Sequence, residues 1–138
     1  MKHRRHTLTR AQRALATAGA IALSAGLWLG WFAWDTGYQI DPATGSASGP
    51  YEPWQVIGCV ASWVALGWIA NKFLAPAIVI LAMPAGFTGA FAVTAATSDD
   101  SGLWMIGATL VAFGTLAGTV LLVAAMNWRR PAIDSTSR

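Results

Sequence analysis

DTGYQIDPATGSASGPYEPW, residues Asp35 to Trp54, is a polar, turn-rich insert between two long apolar runs, with three acids and no Lys or Arg. Within it, DPATG is a turn with a physical basis. Pro42 presets φ at the second turn position, and Gly45 accepts a positive φ. The flanks GYQI and SASGPY are short and extended in character, so a small hairpin is expected across them. A lone hairpin is marginal in water. Tyr38, Ile40 and Tyr51 are therefore expected to press it onto the neighbouring helix ends, with Trp54 close to Trp31, Trp34 and Trp104. The insert reads as an ordered cap of residues 35–53 linking two membrane spans. Its lack of basic residues is what passage across a membrane favours.

Working outward, the apolar runs are Ala14–Trp34, Trp54–Ala70, Phe73–Ala96 and Leu103–Asn127. A helix needs about 20 apolar residues, roughly 17–25, to cross the hydrocarbon core, and all four runs fit. The chain is 55% hydrophobic and 11% charged over 138 residues, less than half the charge of a typical soluble protein at about 25%. The runs do not alternate as barrel strands would, and lipid leaves no free backbone group unsatisfied. The expected fold is an all-α membrane protein: an up-down-up-down bundle of four transmembrane helices with a hairpin-like loop after the first. The linkers are residues 71–72 and 97–102, and the tails are residues 1–13 and 128–138. The two-residue link Asn71–Lys72 implies that the second and third helices are antiparallel neighbours.

Charge sets the expected orientation. Lys2, Arg4, Arg5, Arg10, Arg13, Lys72, Arg129, Arg130 and Arg138 all fall on one side of such a bundle, and Asp35, Asp41, Glu52, Asp99 and Asp100 on the other. This bias puts both termini in the cytoplasm of a bacterium, with the chain multi-pass in the inner membrane. The basic side faces anionic lipid headgroups, and no segment resembles a nucleic-acid reader. The first run is too long for a signal-peptide core and lacks a small-x-small cleavage site, so it reads as an uncleaved anchor. The single Cys59 excludes an internal disulfide.

Small residues recur at four-residue steps. They are Ala14, Ala18, Ala22, Gly26 and Gly30 in the first helix, Ala82, Gly86, Ala90 and Thr94 in the third, and Gly114 and Gly118 in the fourth. Such a step aligns them on one face, where helix backbones can approach closely, either within one copy or in a homodimer or larger membrane complex. Trp31, Trp34, Trp54 and Trp104 at one end and Trp68 and Trp128 at the other suit two aromatic belts, while Trp28 and Trp63 lie deeper. Pro84 is mid-helix and is expected to bend it.

Chemistry is sparse. The four runs contain no Asp, Glu, Lys, Arg or His. No nucleophile–base set, phosphate loop or C-x-x-C occurs, and His3 and His6 are only half a metal site. The expectation is a non-enzymatic protein without cofactor, metal or identifiable small-molecule substrate. Thr17, Ser24, Ser62, Thr88, Thr94, Thr109, Thr115 and Thr119 are expected to bond back to their own helices. The acids of the loop side raise one alternative, a weak divalent-cation site. The candidate interaction residues of the loop are Tyr38, Asp41, Tyr51, Glu52 and Trp54.

The segment YQIDPATGSASGPYEPWQVIGC and the Ala/Val/Gly-rich, Arg-tailed composition resemble small actinobacterial four-helix integral membrane proteins. That resemblance implies the fold and carries no activity or catalytic residues with it. Small multidrug-resistance transporters are similar in size and helix number. They require a membrane-embedded Glu in the first helix, and Ala14–Trp34 has no acid. The expected role is therefore an accessory, interaction or structural subunit of the cell envelope. A transporter or channel acting as a homodimer, and a sensor using the loop, are the alternatives.

Overall fold

The computed structural model describes residues 8–128. Lys2, Arg4, Arg5, Arg129, Arg130 and Arg138, on which part of the charge argument rests, and His3 and His6 lie outside them. Four helices form: α1 (Arg10–Trp31), α2 (Pro53–Phe73), α3 (Pro76–Ser98) and α4 (Trp104–Trp128). Each is long and apolar enough to cross a membrane. Two short strands, β1 (Gln39–Ile40) and β2 (Ala47–Ser48), pair antiparallel between α1 and α2, with Gln39 opposite Ser48 and Ile40 opposite Ala47. The protein is a multi-pass membrane protein by the length and hydropathy of these helices.

Helix α1 starts one turn before Ala14 because Thr9 and Gln12 close a capping box. The Thr9 hydroxyl accepts from the Gln12 N–H at 3.2 Å, and the Gln12 side chain accepts from the Thr9 N–H at 2.9 Å. Pro53 and Pro76 stand in the first turns of α2 and α3, where a missing N–H breaks no helical bond. Helix α3 continues through the buried Pro84.

The packing corrects one expectation. Helix α3 packs most extensively, against α1 on one side and α4 on the other, while α2 leans on α1 and only lightly on α4 and α3. The sequential pair α2 and α3 are thus diagonal across the bundle rather than close neighbours. Asn71 and Lys72 do not form the link; they are the last turn of α2. Leu74 and Ala75 form it, both in extended backbone with ψ of 154° and 144°. Two extended residues reach farther than a tight turn and carry the chain across the bundle end.

The core has two halves. Ala20, Ala70, Leu74, Val79, Ala82, Met83 and Val123 fill the half nearer Arg10 and Lys72, termed the basic end. Trp28, Phe32, Cys59 and Phe87 fill the half nearer the hairpin. Leu29, Ile57, Leu81, Leu110, Phe113 and Leu121 point outward and are more than half exposed. Surface of this kind is unfavourable in water and costs nothing in hydrocarbon.

Candidate functional site

Beneath the hairpin the aromatic residues converge. Trp28 is edge-on to Phe91 at 4.9 Å, to Phe87 at 5.6 Å and to Tyr51 at 6.0 Å between ring centroids. Tyr51 also stands edge-on to Phe32 at 4.9 Å. Trp63 reaches the same cluster through Phe87 at 5.3 Å. Each such pair contributes about 0.5–1.5 kcal/mol beyond its buried area. Tyr51 thereby closes this end of the bundle, and burial, with Asp35 and Tyr38 adding to it, raises its phenol pKa above the ordinary value.

Gln55 ties the loop to the helices. It is fully buried. Its amide N–H donates to the Trp31 carbonyl at 3.1 Å and to the Asp35 carboxylate at 3.2 Å, and its oxygen accepts from the Glu52 N–H at 2.7 Å. The end of α1 and the start of α2 are thus joined by one satisfied side chain, as a buried amide requires.

The turn is built around Asp41. Its carbonyl accepts from the Gly45 N–H at 2.8 Å, and its own N–H donates to the Ser46 carbonyl at 3.1 Å. Its carboxylate accepts from the Ala43 N–H at 2.9 Å and the Thr44 hydroxyl at 3.0 Å. Those two donors hold its pKa below the usual value. Gly45 takes φ of 67°, a conformation that disfavours side chains. Glu52 accepts from Gln39 at 3.0 Å and from the Trp54 indole, and its pKa is also lowered. Asp99 accepts from the Ser101 hydroxyl, the Ser101 N–H and the Trp104 N–H, which bridges the end of α3 to the start of α4. These bonds lower its pKa. Asp35, Asp41, Glu52 and Asp99 thus each accept from nearby donors, and no group of three or more potential metal ligands exists among the described residues.

The candidate loop residues separate. Tyr51 sets its ring against Phe32 and Trp28 yet stays 41% exposed, and Trp54, 6.1 Å from Trp31, is 52% exposed rather than buried. Tyr38 and Ile40 do not bury as expected; they are 72% and 69% exposed. The hairpin pairs its own backbone and is tied at its foot by the Gln39–Glu52 bond and the Tyr51 ring contacts, while Tyr38 and Ile40 face outward.

Between helices, indole N–H groups are the cross-links. Trp28 donates to the Thr94 hydroxyl at 2.8 Å, Trp31 to Ser62 at 3.3 Å and Trp63 to Thr119 at 3.2 Å. They join α1 to α3, α1 to α2 and α2 to α4. Each accepting hydroxyl donates to a carbonyl of its own helix. Thr17, Ser24, Thr109 and Thr115 bond back in the same way. Thr88 does not; its buried hydroxyl has no partner. Sequence reasoning missed the three cross-links. The available signal was that a buried indole N–H needs an acceptor and that hydroxyls recur on the facing helices.

The small-residue stripes have opposite fates. On α3, Ala82 and Gly86 are buried and Ala90 and Thr94 half-buried. A Cβ at Gly86 would strike the Ile21 carbonyl and the Ser24 hydroxyl of α1. On α1, Ala14, Ala18, Ala22, Gly26 and Gly30 are all exposed. A Cβ at Gly26, Gly30, Gly114 or Gly118 meets nothing within 4 Å. These four glycines are therefore not close-approach points within the chain. Close approach occurs instead at Gly58 against the Trp31 ring, and at Gly67, where a Cβ would lie 2.6 Å from Leu122. No protein-family model, curated protein or solved structure matches this chain.

Proposed function

We propose that this chain is a non-enzymatic accessory or structural subunit of a bacterial inner membrane, associating sideways through the uncovered small face of α1. One observation carries the reading. Ala14, Ala18, Ala22, Gly26 and Gly30 lie in register at four-residue steps on a surface that none of the other described helices covers. In hydrocarbon, helices associate through close packing rather than hydrophobic transfer, and small residues allow backbones to meet. The matching pattern on α3 is used in this way against α1. A second membrane helix, from another copy or a different subunit, is the partner that fits such a face.

Two features favour this over the rivals. The described hydroxyls of the bundle interior are mostly engaged with their own helices and with indoles, which offers a permeating solute little. The space beneath the hairpin, where a sensor would bind its signal, is occupied by Tyr51 on Phe32 and Trp28. We place the basic end in the cytoplasm, following the Lys/Arg bias. A photo-crosslinking residue at Ala22 should capture a membrane protein or a second copy in native membranes. The same residue at Leu110, exposed on α4, should capture lipid alone. Equal yields from both positions, or none from Ala22, would remove the basis of the reading.

A further inference from the structure

We infer that one anionic phospholipid binds at the basic end, an acyl chain in the groove between α1 and α2 and its phosphate against Arg13 and Lys72. The groove is walled by Ala16, Ala20 and Leu23 of α1 and by Leu66, Ile69 and Phe73 of α2, with a volume of about 230 Å³. That is below the roughly 300–1,000 Å³ of a typical small-molecule site and suits a single hydrocarbon chain. Its rim residues Leu23, Ile69 and Phe73 are half or more exposed, so the groove opens sideways on the surface that faces lipid.

Charge identifies the headgroup. Arg13, Ala16, Ala20 and Leu23 are spaced by three, four and three residues, which sets Arg13 on the groove face of α1 one turn beyond its apolar wall. Across the groove, Lys72 lies next to Phe73, its ammonium 3.5 Å from the centre of the Trp68 ring. All acids among the described residues lie toward the hairpin end, so no described carboxylate lies beside these cations. Arg10 and Arg13 also stand at the N-terminus of α1, which has no acid in its first turn. Cations there oppose the helix dipole, and a bound anion offsets both. Basic pockets between membrane helices take anionic headgroups in this way.

The full-length protein, stripped of lipid in detergent, is titrated with phosphatidylglycerol, phosphatidylcholine or inorganic phosphate and read by native mass spectrometry. One phosphatidylglycerol should bind at least tenfold more tightly than phosphatidylcholine, with no retention of phosphate alone. Arg13→Gln combined with Lys72→Gln should abolish that preference. Gly19→Leu, whose Cβ meets no other atom and whose side chain enters the groove, should weaken both lipids while circular dichroism shows the helices intact. Equal binding of the two lipids by the unaltered protein, or phosphatidylglycerol affinity unchanged in both variants, would overturn the inference.

Discussion

At Gly86 the absence of a side chain lets the α1 backbone come within contact of α3, since any Cβ would meet the Ile21 carbonyl. A carbonyl on a helix backbone cannot swing aside as a flexible side chain does. Gly86→Ala should therefore destabilise the bundle by about 1–3 kcal/mol, the usual cost of overpacking. Gly26→Ala should stay within about 0.5 kcal/mol, as surface changes do. Unfolding in detergent, followed by tryptophan fluorescence, compares them. The two glycines look alike in sequence, because a four-residue step states only that residues share a face. A uniformly apolar helix carries no polar side to show which face meets protein and which meets lipid. The indole bonds make a second residue-scale test. Thr94→Val leaves the Trp28 N–H without its acceptor and should cost about 0.6 kcal/mol and no more than about 1.7, the mean and the maximum for such bonds in membranes. Thr109→Val, at an exposed site bonded only to its own helix, should cost almost nothing.

The elements differ in how much of them could be read in advance. The helices were legible because the hydrocarbon thickness imposes a length, and runs of that length are rare by accident. The hairpin was legible because Pro42 and Gly45 each suit one turn position, and Gly45 takes the positive φ that its lack of a side chain allows. The diagonal placing of α2 and α3 was not. Nothing in Asn71–Lys72 states that the helix continues to Phe73 and that the extended pair Leu74–Ala75 makes the crossing. The start of α1 was legible in principle, since Thr9 and Gln12 have capping-box spacing. The connections at the hairpin end depend on ionised carboxylates. Asp41, Glu52 and Asp99 have pKa values below their ordinary ones because folded-state donors stabilise the anion. For a lowered pKa, the stabilisation is full above the unfolded value and is lost as pH falls through the folded one. The hairpin and the α3–α4 connection should hold at neutral pH and loosen below about pH 4. Hydrogen exchange on the amides of Ala43, Ser101 and Trp104 would register this as lost protection, with the middle of α3 unchanged. Uniform loss across all helices at the same pH would place the effect elsewhere.

Across the whole molecule, charge, aromatic residues and small residues are distributed by depth. The described acids and the hairpin lie at one end, Arg10, Arg13 and Lys72 lie at the other, and the aromatic cluster and its indole bonds close the half nearer the acids. Helix α3 carries most of the internal packing, which leaves the small face of α1 and much of α4 outward. Lateral association and the bound phospholipid both presuppose that the chain crosses a bilayer four times with its ends on one side. Single cysteines at Ser46, in the hairpin, and at Ser135, beyond the described residues, measure this directly once Cys59 is replaced by Ala. In intact cells a membrane-impermeant maleimide should label Ser46→Cys at once and Ser135→Cys only after the membrane is opened. Labelling of both positions from the same side would contradict the four-span account.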